Sequence, residues 1–193
     1  MDPLELFQEW FARARAVDRS LLPEPTAMAL ATTDSDGRPG VRMVLLKDAD
    51  ARGFVFYTNT ESRKGRELIA HPRAALCFHW QPLELQVRIE GETEMVSDAE
   101  ADAYFASRAR VSQLGAWASS QSRVMAQDED LEARLHEMER RFEGAAVPRP
   151  AYWSGFRVVP TRFEFWRNRP FRLHDRQLYE RSEDGWLVTR LYP

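Results

Sequence analysis

The stretch 26-TAMALATTDSDGRPGVRMVLLKDADARGFVFYTN-59 decides the fold class. "TAMALATTD", "VRMVLLKD" and "FVFYTN" each have the length and composition of a short β-strand. Between them lie "SDGRPG" and "DADARG", both dense in turn-forming residues. Short strands joined by tight turns run antiparallel, so the stretch predicts an antiparallel meander.

On the N-terminal side, Leu4, Phe7, Phe11 and Ala14 recur at helical spacing and predict an amphipathic helix over about 3–16, closed off by Pro23 and Pro25. On the C-terminal side, "SRKGRELIAHP" reads as a short helix stopped by Pro72. "AALCFHW" and "LELQVRIEGETEMV" then form a hairpin with "QP" at its turn. "SDAE" has the form of a capping box, so a helix begins after Ser97 and runs through "AEADAYFASRAR". "SQLGAWAS" adds a second helical stretch, and Leu131, Leu135, Met138 and Phe142 mark a third. The helical insertion thus covers about 98–143. "FRVVPTRFEFWRN", "FRLHDRQLYERSE" and "GWLVTRLYP" return to strands over about 155–193. Strands at both ends with helices between them give an α+β fold whose strands can close into a small barrel. At 193 residues the whole chain, 1–193, fits one domain.

A net charge of −3 supplies no basic field for nucleic acid or an anionic membrane. Anion binding must therefore come from local clusters. No segment approaches the ~18 apolar residues of a membrane span. "MDPLELFQEWF" opens with an acid, unlike a signal peptide, so the expectation is a cytoplasmic protein. Cys77, the single cysteine, has no disulfide partner and reads as a buried thiol.

Three cationic clusters stand out. In "FRLHDRQLYER", a strand would put Arg172, His174 and Arg176 on one face, about 7 Å apart. Two full charges at that distance repel by roughly 2 kcal/mol at an effective dielectric of ~20. An exposed strand carries this at little cost; a buried one needs an anion opposite. In "YTNTESRKGREL", Arg63 and Lys64 sit at a helix start beside Thr58, Asn59 and Ser62, which suits a phosphate. Taken alone, the same residues also read as an ordinary solvated helix start. In "YFASRARVS", a regular helix would align Tyr104, Arg108 and Ser112 on one slanted stripe, a second anion site or simply a partly buried tyrosine beside a surface arginine. Arg42 and Lys47 lie five apart, so one ligand can meet both only if a bulge or the strand end redirects one of them. There is no phosphate-binding glycine loop, no dinucleotide fingerprint, no His/Cys metal spacing and no G-x-S-x-G elbow.

From about residue 23 onward, "PTAM", "RMVLLK", "FYTNTESRK", "LELQVRIEG", "YFASRARVSQLGAW", "QS", "FWRN", "RLHDR" and "RLYP" follow one another in order. In these motifs the chain resembles the pyridoxamine (pyridoxine) 5′-phosphate oxidases, flavoproteins with an antiparallel split β-barrel and surrounding helices. The resemblance implies FMN at a homodimer interface. It implies FMN contacts from Arg42, Met43, Val44, Leu45, Leu46, Lys47, Tyr57, Thr58, Arg63, Lys64 and Gln86, completed by Gln121, Ser122, Trp166 and Arg176, some from the second subunit. The substrate phosphate would be held by Lys47, Tyr104, Arg108 and Ser112, with Arg172 and His174, the implied catalytic pair, against the pyridine. The implied reaction oxidises pyridoxamine 5′-phosphate or pyridoxine 5′-phosphate to pyridoxal 5′-phosphate, with O2 as acceptor and H2O2 as product. Phenazine-pathway oxidases of the same scaffold, and a non-catalytic flavin or vitamin carrier, are the alternatives. The chain departs from the family pattern at Glu24, where relatives often carry aspartate, and at Leu85, where an arginine is common.

Overall fold

Asp2 accepts a hydrogen bond from the Leu4 backbone, and Pro3 takes the first helical position, where a missing N–H costs nothing. Helix α1 (Pro3–Ala16) follows; the computed structural model describes residues 2–193. Phe7, Trp10 and Ala14 are its buried stripe. Phe7 packs edge-on to Phe54 and against Phe78, and Trp10 meets Phe165 edge-on, so α1 closes one mouth of the sheet.

The strands are β1 (Ala27–Thr33), β2 (Pro39–Leu45), β3 (Asp48–Asp50), β4 (Gly53–Asn59), β5 (Arg73–Trp80), β6 (Leu85–Met95), β7 (Trp153–Arg167), β8 (Asp175–Ser182) and β9 (Gly185–Arg190). All pairings are antiparallel, in the order β2-β1-β5-β6-β7-β4-β3, with β8 on β7 and β9 on β8. The sheet curls into a split barrel filled by apolar side chains. The predicted meander is half right. β1 and β2 do form a hairpin, but β4 crosses to the far side and pairs with β7. The reason is burial: Phe54, Val55 and Phe56 are all inaccessible, so β4 needs cover on both faces. Beside the exposed edge strand β2 it would have none. The chain between them bridges the barrel's open seam, with Leu46 N–H donating to Thr26 and Lys47 N–H to Val55.

The helices are α2 (Arg63–Ala70), α3 (Asp98–Ser107), α4 (Arg110–Ala118) and α5 (Leu131–Arg141). The capping box at Ser97 and Glu100 is formed in both directions. The helix it starts is shorter than predicted. It ends at Ser107, Arg108 is extended, and α4 starts two residues later, so Tyr104, Arg108 and Ser112 do not share a helical stripe. They are brought together by the break instead.

A second correction concerns "FRLHDR". The strand begins only at Asp175. Pro170–Arg172 form a single 3₁₀ turn, and Phe171 and Arg172 both have left-handed backbone (φ 59° and 62°). Strand alternation therefore never applies to Arg172 and His174, and the shared-face triplet does not exist. Proline at the start of that turn, with two consecutive left-handed residues, turns the chain before β8 can pair.

Candidate functional site

A cleft of about 750 Å³ opens between the exposed side of β2, the end of β4, the start of α2 and the α3–α4 break. Its walls include Met43, Val44, Leu45 and Lys47 from β2 and just beyond it, Tyr57 and Thr58 from β4, and Lys64 from α2. Tyr104, Arg108, Ser112 and Gln121 complete the far side.

Lys64 is the most constrained cation here. Only 9% exposed, it donates to Thr58 Oγ1 at 3.0 Å, Gln121 Oε1 at 3.1 Å and Ser62 Oγ at 3.3 Å. All three acceptors are neutral. Burial, then the nearby Arg42 guanidinium, push its pKa down to about 8. The local backbone explains the burial: a Cβ at Gly65 would lie 2.3 Å from the Thr60 carbonyl oxygen. Only glycine lets the first turn of α2 sit this close to the end of β4.

Arg108 is the second such cation. Its Nη1 is buried with no hydrogen-bond partner, and burial lowers its pKa. The guanidinium lies 4.8 Å from the centre of the Trp153 ring. Trp153 stacks on Tyr57 at 5.3 Å, and Tyr57 on Tyr104 at 4.0 Å, so three near-parallel rings support this end of the cleft. Ala109 precedes helix α4 and offers no side-chain cap, leaving the first N–H groups of the helix, ahead of Ser112, without one. A buried, unpartnered guanidinium nitrogen next to an uncapped helix start has the donors to take up an anion.

Neighbouring cations are already spent. Arg42 turns away from the cleft to Thr32, the Leu30 and Gly40 carbonyls, and Glu67 at 3.0 Å. Arg63 donates to the same Glu67 at 2.7 Å. Burial raises the Glu67 pKa, but hydrogen bonds from Thr32, Arg63 and Arg42 more than offset it, so the carboxyl stays below its usual range. Hence Arg42 and Lys47 do not meet one ligand through their side chains; β2 ends at Leu45, and only Lys47 is redirected into the cleft. Leu46 is buried in the core. Ser122 has a left-handed backbone and lines an adjoining cavity of about 660 Å³ rather than the cleft itself.

The remaining predicted residues form a second group. Gln86 pairs with Trp166, and Trp166 with Arg176, across β6, β7 and β8, so the three side chains share one sheet face. The His174 ring lies 4.7 Å from that of Trp166, and its Nδ1 accepts from the Arg169 backbone at 3.3 Å. Arg176 donates to Glu164 at 2.8 Å and to the Tyr192 carbonyl at 2.9 Å. Glu164 also holds Arg88. Phe171 beside Arg172 is 93% exposed and packs on nothing in its own chain's core. Along β7, Trp166 is eleven residues from Gly155, the cross-strand partner of Tyr57 in the cleft, roughly 35 Å of strand.

Two contributors went unseen in the sequence. Trp153 supplies the platform under Arg108, and nothing in "AYWSGF" marks it. Glu67 organises Arg42 and Arg63, and its i,i+4 spacing from Arg63 was a readable signal.

Residues 16–142 match the family model described as pyridoxamine 5′-phosphate oxidase, and residues 153–193 match the pyridoxine 5′-phosphate oxidase C-terminal dimerisation region. The chain belongs to the pyridoxamine 5′-phosphate oxidase family. Members of this family of oxidoreductases include a pyridoxine/pyridoxamine 5′-phosphate oxidase of Myxococcus xanthus (strain DK1622), 60% identical over 192 residues, covering 100% of this chain and 92% of the relative. Another from Gluconobacter oxydans (strain 621H) is 57% identical, covering 100% of this chain and 94% of the relative. Among solved structures, PhzG from Burkholderia lata 383, in complex with tetrahydrophenazine-1-carboxylic acid, superposes with a TM-score of 0.89 at 34% identity. That match covers 100% of this chain and 93% of PhzG. No described helix is long and apolar enough to cross a membrane.

Proposed function

We propose that the chain is an FMN-dependent oxidase that converts pyridoxamine 5′-phosphate or pyridoxine 5′-phosphate to pyridoxal 5′-phosphate, using O2 and releasing H2O2. The observation that carries this reading is the pair of cations without a carboxylate hydrogen-bond partner at separate points of one cleft, Lys64 and Arg108. Two cationic points, buried Lys64 and half-buried Arg108, neither hydrogen-bonded to a carboxylate, fit two phosphates, one on the cofactor and one on the substrate. Lys64, Thr58 and Gln121 would hold the FMN phosphate, with Arg63 at its edge. Met43 through Lys47 and Tyr57 would line the ring and ribityl chain. Arg108, Tyr104, Ser112 and Lys47 would hold the substrate phosphate.

The second group completes the site from the partner subunit. Residues 1–193 would form a single FMN-binding split-barrel domain that works as a homodimer. Gln86, Trp166, His174 and Arg176 are too far along the sheet to reach the same chain's cleft. Val41 and Met43, 73% and 63% exposed, share a sheet face with Ala29, Ala31, Ala75 and Cys77, which lie between the two groups. A twofold axis over this small, apolar strip would carry each group to the other protomer's cleft.

FMN, when bound, supplies the hydride acceptor and the route for electrons to O2. The chain's own contribution is positional: phosphate sites at both ends restrict the substrate to a reactive orientation. Arg172 would act as an electrostatic and positioning group, because a guanidinium is too weak an acid to release a proton easily. His174, ring against Trp166, would orient the pyridine substituents. Two consecutive left-handed residues cost about 1–3 kcal/mol each, the kind of strain that persists where a side chain must be aimed.

The test is anaerobic mixing of the flavin-loaded protein with pyridoxine 5′-phosphate. Bleaching of the flavin absorbance, then steady peroxide production in air, is expected. A flavin that stays oxidised would sink the assignment and leave a carrier, and a bleach without peroxide turnover in air would exclude O2 as the acceptor. The likeness to PhzG supplies a second reading, oxidation of a reduced phenazine carboxylate. Preference for such a carboxylate over the phosphorylated vitamer would select it.

A further inference from the structure

Helix α3 carries Tyr104 and ends at Ser107, one residue before Arg108, and Ala101 and Phe105 pack its apolar side against the barrel. Its charged anchors lie at the other end. Arg157 on β7 is only 4% exposed and donates to Glu100 at 2.7 Å and to Glu94 on β6 at 3.2 Å. Glu100 also closes the capping box with Ser97 and accepts from Arg52, beside the β3–β4 turn, at 3.0 Å. One carboxylate therefore ties the first turn of α3 to two parts of the barrel. On the other side of the helix, Arg149 donates to Asp98 at 2.7 Å, to Asp102 at 2.5 Å and to the Trp153 carbonyl at 2.8 Å.

The spacing is regular. Arg149 and Arg157 flank Trp153 by four residues each, and Asp98, Glu100 and Asp102 alternate along the start of α3. Asp98 is largely exposed, so the Arg149 side is the weaker. On the other side the Arg157 guanidinium is buried although Glu100 and Glu94 are partly exposed, and its Nε has no partner. Arg157 is thus committed to Glu100 and Glu94, and loss of Glu100 leaves it only the longer contact to the more exposed Glu94. Hydrogen bonds from Arg157 and Ser97 hold the Glu100 carboxyl down at about 2, so it is ionised at every working pH.

We infer that Glu100 and Arg157 are positioning residues for substrate-phosphate recognition. Through α3 they fix Tyr104 on Tyr57 and Arg108 over Trp153, and so set where the phosphate is held. The inference rests on the proposed placement of the substrate phosphate at Arg108. It adds that phosphate selectivity is set from the first turn of α3, two to three turns from the group that binds.

The experiment uses the flavin-loaded full chain and Glu100→Gln, which keeps a capping amide but removes the charge facing Arg157. Arg157→Lys is the second variant, in case one of the two folds poorly. KM and kcat are measured for pyridoxine 5′-phosphate and for unphosphorylated pyridoxine, with flavin per chain and the Kd of pyridoxal 5′-phosphate by calorimetry. For Glu100→Gln, KM for the phosphorylated substrate and the pyridoxal 5′-phosphate Kd should both rise roughly ten-fold. Its kcat and flavin content should stay within about two-fold, and the preference for phosphorylated over plain pyridoxine should fall roughly ten-fold. Equal losses on both substrates, or an unchanged preference, would overturn the inference. Failure of the wild-type chain to oxidise pyridoxine 5′-phosphate would instead remove the functional reading beneath it.

Discussion

Two sets of cations a few residues apart have opposite fates. Arg42 and Arg63 share Glu67, just as Arg88 and Arg176 share Glu164. Lys64 and Arg108 face neutral oxygens, aromatic rings or nothing. A cation paired with a buried carboxylate belongs to the architecture, since removing either partner strands the other. A buried cation without one costs stability, and it persists where an incoming anion offsets that cost. The contrast separates cations held by the scaffold, which can at most edge a ligand as Arg63 and Arg176 would, from those an incoming anion would complete.

The paired side should break hardest. Glu67→Gln leaves Arg42, with a side chain 20% exposed, without its carboxylate, and should cost about 3 kcal/mol. For a chain of this size that lowers the melting temperature by roughly 6–12 °C, measurable by calorimetry on the ligand-free protein. A shift under about 2 °C would make Glu67 incidental. On the unpaired side, Lys64→Met should do the reverse. Flavin affinity should drop roughly 100-fold, while the ligand-free melting temperature holds or rises. Flavin absorbance per chain after gel filtration, alongside a thermal melt, reads both. Loss of stability together with unchanged flavin would erase the distinction between the two sets.

Arg108→Leu should raise KM for pyridoxine 5′-phosphate by roughly 30-fold and leave flavin content as it was. Equal effects of the Lys64 and Arg108 substitutions on flavin would merge two phosphate sites into one. The smallest effect comes from pH. The Lys64 pKa of about 8 lies below its ordinary 10.5, so between those values the unfolded chain holds a proton that the folded chain has lost. Lys64 therefore makes the ligand-free protein more stable as pH rises through that window. The same proton loss removes the charge that binds an anion, and flavin affinity should fall about ten-fold from pH 7 to pH 9. A flat affinity profile in the wild type, or a matching slope in Lys64→Met, would take Lys64 out of the phosphate site.

The barrel was legible because its signals are local. Period-two alternation and turn residues gave the strands, 3.6-residue spacing gave α1, and Ser97 with Glu100 gave the start of α3. The errors share a cause. "FVFYTN" reads as a neighbour of "VRMVLLKD" until burial on both faces sends β4 to β7. "FRLHDR" alternates like a strand, but two left-handed residues delay the strand to Asp175. "ASRARVS" reads as one helix, but the chain is extended at Arg108. Each misreading applied a local period across a point where long-range packing had overruled it.

By itself, the sequence determined the α+β class, the helix starts and the residue types able to grip phosphate, since these depend on neighbours within a few positions. Only the tertiary structure decided which basic side chains remain without a counter-ion. That depends on where Glu67 and Glu164 come to lie, and carboxylates brought in from other strands and helices leave no trace in local spacing.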